Sequence, residues 1–246
     1  MKNILGISRT YLKFFVNNIN SRWVLCQGGR RSGKSFNSYK WLWFLASGQP
    51  KIVGVVAASF PALQLAINDF QRATGLAVSG NAVFGYSCQL SNGSVFMFRA
   101  FDDPTKVQGS TYDILYLEET LNIPEQVVSV LSMSVTGQIY CCYNPTKKSF
   151  LDRHILPDKS NYLCTTFKDN DYLTAAQREE FEEIKRKALL PTASVIDRYN
   201  YSVYYKGEFG SYSGKVFKVI YNIGDDEYEN VPAPEESSLC SWKSSA

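Results

Sequence analysis

Residues 24–35 read Val-Leu-Cys-Gln-Gly-Gly-Arg-Arg-Ser-Gly-Lys-Ser. Gly28, four further residues and then Gly33-Lys34-Ser35 match the phosphate-loop pattern G-x-x-x-x-G-K-[ST] without a mismatch. The chemistry asks for these types at this spacing. A loop that wraps a polyphosphate needs small residues, so that backbone N–H groups face the anion. Gly28, Gly29, Arg30, Arg31, Ser32, Gly33, Lys34 and Ser35 are therefore the expected binding loop. Lys34 brings a mobile positive charge. Ser35 offers a hydroxyl to Mg²⁺ and opens a helix whose amino end favours negative charge.

The flanks agree with that reading. The apolar run Trp23 to Cys26 is short enough for a buried strand. Phe36 to Leu45 reads as a buried helix ending at Gly48-Gln49-Pro50. Strand, loop, helix is the order the motif requires. The competing reading is a Gly/Ser-rich surface turn beside a basic pair.

A second stretch answers the first. Residues 112–119 read Tyr-Asp-Ile-Leu-Tyr-Leu-Glu-Glu. A mainly apolar strand delivers two carboxylates at its carboxyl end, where ligands bind in an open parallel α/β sheet. Glu118 is the expected Mg²⁺ residue, directly or through water, and Glu119 the residue that orients the attacking water. Neighbouring strand residues point to opposite faces, so the strand end must bend to bring both near. Alone, the pair reads equally well as a solvated acidic turn; the matched loop upstream shifts the balance. A further strand, residues 137–143, ends in Asn144-Pro145-Thr146. That places Asn144 at the same sheet edge, within reach of a phosphate or the water. An Asn-Pro turn forms with or without such a role.

Composition narrows the rest. The chain has 246 residues, 45% hydrophobic and 14% aromatic, which supplies a sizeable core and excludes global disorder. Its net charge of +3 is a slight basic bias, and the pI near 8.4 lies below the roughly pI 9 of dedicated nucleic-acid modules. Six cysteines, one histidine and no C-x-x-C pair argue against zinc and for a reducing compartment. No apolar stretch has the length of a membrane span, and the amino-terminal residues lack a continuous apolar region typical of an export signal.

The remaining elements are expected as follows. Residues 1–21 form a helix or packed arm, lying either near a base or over the core. Residues 51–58 form a strand and 60–74 a helix. Residues 83–90 and 95–101 form a hairpin around Asn92-Gly93. A short helix covers 124–134, another 148–155, and a strand 162–167. Thr174 caps a charged helix through Leu189, read as a solvated face, and a second helical segment spans 192–204. Residues 211–246 read as a linker or tail with one strand, Val216 to Tyr221.

The ordered set of motifs resembles a known family. Gly-Gly-Arg-Arg-Ser-Gly-Lys-Ser (28–35), Asp-Asp-Pro-Thr-Lys-Val-Gln-Gly-Ser (102–110), Asp-Ile-Leu-Tyr-Leu-Glu-Glu-Thr (113–120) and Tyr-Asn-Pro-Thr (143–146) come first. Thr-Phe-Lys-Asp-Asn-Asp-Tyr-Leu (166–173) and Tyr-Lys-Gly-Glu-Phe-Gly (205–210) complete the set. Over residues 22–220 the chain looks like the ATPase domain of the large terminase subunit, the DNA-packaging motor of tailed bacteriophages.

The resemblance implies an α/β P-loop NTPase fold of the additional-strand, catalytic-glutamate type. Its central sheet would be mostly parallel, with helices on both faces, over residues 1–210. It implies Mg²⁺-dependent ATP hydrolysis that drives double-stranded viral DNA into a procapsid. Glu119 would be the catalytic carboxylate, Arg30 a cis sensor of the γ-phosphate, and Asn144 part of a motif coupling hydrolysis to movement. Implied partners are double-stranded DNA without sequence preference, the portal and procapsid, the small terminase subunit, and other copies in a ring. A neighbour in that ring would supply a basic residue, with Arg99 and Lys106 as candidates. The setting would be the host cytoplasm. Full-length members carry a second, nuclease domain of ribonuclease-H-like fold; residues 211–246 read as a linker or tail, and nuclease activity is not expected from this chain. Two other classes stay open: a different P-loop NTPase, such as a helicase-like ATPase or nucleotide kinase, and a nucleotide-binding scaffold without catalysis.

Overall fold

The computed structural model describes residues 6–210 except Phe84, Gln108 and Ser110. The expected linker, its strand at 216–221 and the first five residues lie outside the described residues. Helix α1 (Arg9–Asn17) leads into strand β1 (Trp23–Gly28), helix α2 (Lys34–Gly48), β2 (Ile52–Ala57) and α3 (Phe60–Thr74). Then come β3 (Ser79–Asn81), β4 (Gly85–Gln89), β5 (Val95–Ala100), β6 (Ile114–Leu117), α4 (Glu125–Met133) and β7 (Ile139–Tyr143). The described chain closes with β8 (Tyr162–Thr165), α5 (Ala175–Leu189) and α6 (Val195–Asn200).

The eight strands form one sheet in the order β3-β4-β5-β2-β6-β7-β1-β8. From β5 through β8 every pairing is parallel; only β3-β4 and β4-β5 are antiparallel. The hairpin expected at Asn92-Gly93 is that antiparallel edge, with Tyr86 opposite Phe98. Its extra strand β3 carries no apolar alternation and went unread in the sequence.

Strand parity sorts the core onto two faces. Val24, Cys26, Val53, Val55, Ile114, Tyr116, Tyr140 and Cys142 pack beneath α1, α2 and α3. Leu25, Val56, Leu115, Leu117, Ile139, Cys141 and Tyr143 face the other way, against Val127, Val128 and Leu131 of α4. Central parallel strands covered on both faces read as continuous apolar runs, as these do.

Local signals hold at several boundaries. Thr174 and Gln177 form a reciprocal capping box at the start of α5. Ser59 caps α3, and Gly75 ends it in a left-handed conformation. Three expectations are corrected. Residues 148–155 do not form an α-helix: Phe150–His154 is a short 3-10 turn, and Pro157 disfavours helix at the residue before it. Strand β8 stops at Thr165, because Thr166 and Asp169 make a capping box that opens a new turn. Residues 192–204 divide into α6 and a π-helical turn, Tyr201–Tyr205.

Candidate functional site

The loop between β1 and α2 sits at the carboxyl edge of the parallel strands. Gly33, at φ 90°, turns the chain into α2 in a region that disfavours side chains. Gly29 lies under the backbone carbonyl of Tyr204, so a Cβ there would collide with main chain. The Tyr201–Gly207 segment thus covers the start of the loop, and Gln27 locks it by donating to the carbonyl of Gly207 at 2.8 Å.

Lys34 is 7% exposed, and its ammonium lies inside the curl of the loop. It donates to the carbonyls of Gly28 at 3.1 Å and Gly29 at 3.0 Å, and to Ser32 Oγ at 3.4 Å. It also donates to Asn144 Oδ1 at 2.9 Å. Burial lowers its pKa, opposed above all by the charge of Glu119.

The two glutamates take different roles in the geometry. Glu118 continues the parity of Ile114 and Tyr116 and turns toward α2. Its Oε1 accepts from Ser35 Oγ at 2.7 Å. Its Oε2 accepts from the phenols of Tyr39 at 2.9 Å and Tyr116 at 2.8 Å. Burial pushes the Glu118 carboxyl upward; the Ser35, Tyr116 and Tyr39 hydroxyls pull it back, while Glu119 adds to the rise. Glu119 supplies the bend that the sequence demanded. It adopts a left-handed backbone, φ 46° and ψ 53°, an unusual and strained state for a residue with a Cβ. The bend carries its carboxylate back toward the loop, where Asn144 Nδ2 donates to Oε1 at 3.0 Å.

One run of contacts therefore joins Lys34 to Asn144 and Asn144 to Glu119, with Ser35 and Glu118 beside it. Ser35 Oγ and Glu118 Oε1 are hard oxygen donors. Mg²⁺ in nucleotide sites is held by one or two protein oxygens together with phosphate and water, so this pair fits that ion.

Arg30 and Arg31 stand outside this run, as do Arg99 and Lys106, the candidates for a neighbour's site. Arg30 is exposed, and the hydrogen bonds of Glu118, Glu119 and Asn144 go to other residues. Arg31, at φ 59°, pairs with Glu180 of α5 at 3.3 Å, and its carbonyl accepts from Asn170 at 2.9 Å. Arg99 donates to the carbonyls of Tyr86 and Phe98 within the hairpin. Lys106 pairs with Asp102 at 2.7 Å. Gln27 is buried against Gly207, and Asn20 is exposed after α1.

Sequence reasoning missed Tyr39, Tyr116 and Tyr11. Tyr11 of α1 shares a hydrogen bond with Thr165 Oγ1 at 2.7 Å and reaches the carbonyl of Ser32 at 3.4 Å. Spacing held a signal for two of them. Tyr116 is two residues before Glu118, hence on the same face of the strand. Tyr39 is four residues after Ser35, hence on the same face of the helix.

A parallel sheet with a phosphate loop after β1, an acidic pair after β6 and the strand β7 between them defines a P-loop NTPase of the additional-strand type. Residues 75–208 match the family model described as phage terminase large subunit, and the chain belongs to that family. Solved structures agree at the level of fold. The large terminase of a thermophilic bacteriophage, in complex with ADP, is similar with a TM-score of 0.64 and 20% identity, over 94% of this chain and 60% of that one. The same phage's terminase in complex with ATP-gamma-S gives 0.58 and 18%, over 73% and 49%. The Thermus phage P74-26 large terminase ATPase domain gives 0.54 and 16%, over 82% and 93%. This chain thus spans about half to three-fifths of the length of the thermophilic phage's large terminase. No curated protein sequence matches it.

Proposed function

We propose that this chain hydrolyses ATP with Mg²⁺, and that the hydrolysis moves double-stranded DNA into a procapsid as part of a terminase packaging motor. The observation that carries the reading is the run Lys34–Asn144–Glu119, set beside Ser35–Glu118 at the carboxyl edge of the sheet. A scaffold that only bound nucleotide would need the loop and Lys34. It would have no use for a strained Glu119 held by Asn144.

Phosphoryl transfer asks the protein for positioning and charge more than for covalent chemistry. Lys34 already binds oxygen acceptors inside the loop, and phosphate oxygens are stronger acceptors than the carbonyls of Gly28 and Gly29. Ser35 and Glu118 would hold Mg²⁺, which supplies neutralisation of phosphate charge. Glu119 orients and polarises the attacking water. Asn144, touching both Lys34 and Glu119, fixes the distance between the phosphate-binding charge and that carboxylate. It also begins the segment on which the chain's exit rests: Gly210 N–H donates to the carbonyl of Pro145 at 3.3 Å. Arg30, exposed at the loop's turn, has the freedom to swing toward a γ-phosphate.

The partners follow the family: double-stranded DNA bound through its phosphates, the portal and procapsid, the small subunit, and neighbouring copies in a ring. Contacts to phosphate make DNA binding salt-sensitive. A basic residue from the neighbour would complete the site, so an isolated subunit hydrolyses slowly.

The test is ATP hydrolysis by the 246-residue chain, with and without double-stranded DNA and portal-bearing procapsids. Turnover is expected to rise on assembly. Glu119→Gln is expected to lower it by about 10²- to 10⁴-fold while nucleotide still binds. Lys34→Ala is expected to abolish retention of nucleotide. Full turnover by the dilute chain, indifferent to DNA, procapsid and Glu119→Gln, would point to another NTPase class.

A further inference from the structure

We propose that Tyr39 and Tyr116 are positioning residues for the metal-facing carboxylate: both phenols bind one oxygen of Glu118, so that the other oxygen alone is presented beside Ser35. The proposal deepens the nucleotide-site reading above and rests on it.

A glutamate at a strand end has several rotamers, and its carboxylate can approach a cation through one oxygen or through both. Here that freedom is removed. Oε2 has two acceptor positions, and the hydroxyls of Tyr39 and Tyr116 fill both, at 2.9 and 2.8 Å. Oε1 is left with Ser35 at 2.7 Å. The phenols come from different elements, α2 and β6, so two independent anchors define the carboxylate plane.

Those anchors are rigid. Both tyrosines are fully buried, with ring centroids 4.8 Å apart. Tyr39 packs edge-on against Phe70 at 5.7 Å, and Phe70 packs on Phe96 and Phe98 of β5 at 4.8 and 5.1 Å. Neither phenol can swing away without breaking this aromatic layer, which runs from the site to the antiparallel edge of the sheet. The geometry favours one-oxygen contact with a small, strictly coordinated cation. It disfavours the two-oxygen contact common for Ca²⁺.

The experiment removes the hydroxyls and keeps the rings. Tyr39→Phe, Tyr116→Phe and the double variant are compared with Tyr140→Phe. Tyr140 is a buried phenol on the same sheet face; it accepts from Trp41 at 2.9 Å and donates to Gln138 at 2.9 Å, away from Ser35 and Glu118. Binding of a fluorescent ATP analogue is titrated with Mg²⁺, and Tm is measured on the same samples. Each single variant is expected to need about 10-fold more Mg²⁺ for half-maximal binding, and the double variant towards 100-fold. Binding without metal should change far less than binding with it. Tyr140→Phe should lower Tm with no shift in the Mg²⁺ titration. A double variant that loses Tm like Tyr140→Phe but titrates with Mg²⁺ like the parent would overturn the proposal. If Lys34→Ala and Ser35→Ala also bind the analogue as the parent does, with no dependence on Mg²⁺, the nucleotide-site reading itself falls and takes this one with it.

Discussion

Charged side chains crowd two regions of this molecule, the loop edge of the sheet and helix α5, and they do opposite things there. At the sheet edge Lys34 and Glu118 are 7% and 9% exposed, and each polar atom named above has a defined partner. On α5, Arg186 is 65% exposed and Glu183 38%, and their pairs lie in water. The buried set has few alternative arrangements, because an unpartnered charge in the interior is costly. The exposed set has many, because water solvates any charge left alone. A short distance from a charged group to its partner therefore means little until burial is known. Arg186 and Glu179, 2.9 Å apart, make as close a contact as Lys34 and Asn144, with far less consequence.

Three substitutions would sharpen or break that contrast. The largest effect belongs at the sheet edge. Asn144→Ala removes a side chain that bonds both Lys34 and Glu119, and turnover should fall by about 10²-fold, as small misplacements of reacting groups do. Steady-state hydrolysis together with nucleotide affinity reads this out. A fall in affinity alone, at unchanged turnover, would mean that the bridge serves binding only. Next is Phe181, the one residue of α5 that is buried. It stacks on Phe167 with centroids 4.4 Å apart, and Phe167 meets Tyr205 at 5.1 Å. Phe181→Ala should destabilise the chain by about 3–5 kcal/mol in chemical denaturation. The loss should be concentrated in the segment that covers Gly29, visible as faster amide exchange over Tyr201–Tyr205. The smallest effect is Glu183→Ala. It removes pairs to Arg186 and Lys187, yet stability should change by less than about 1 kcal/mol. A larger loss in thermal unfolding would place α5's charges in a network with the strength reserved here for buried ones.

Tyr39 and Tyr116 show the limit of reading by spacing. Both lie at positions that spacing marks as facing Glu118, but the same positions suit core tyrosines equally well. Only the closing of α2 onto β6 decides between the two. The 3-10 turn at Phe150–His154 makes the same point at the level of secondary structure: the run of residues 148–155 has helical composition, and its outcome depends on Ser149 and on the proline beyond.

From the chain itself came the phosphate loop, the acidic pair, the strand parity that sends neighbouring side chains to opposite faces, and the cap at Thr174. Each of these is set by residues within a few positions of one another, where backbone geometry and side-chain type suffice. The tertiary structure decided which of the candidates meet. Lys34 and Asn144 are 110 residues apart, Tyr39 and Glu118 are 79 apart, and Arg31 reaches Glu180 across 149. A hydrogen bond tolerates only a few tenths of an ångström. That placement is fixed by strand order and by packing across the whole sheet, which no local pattern encodes.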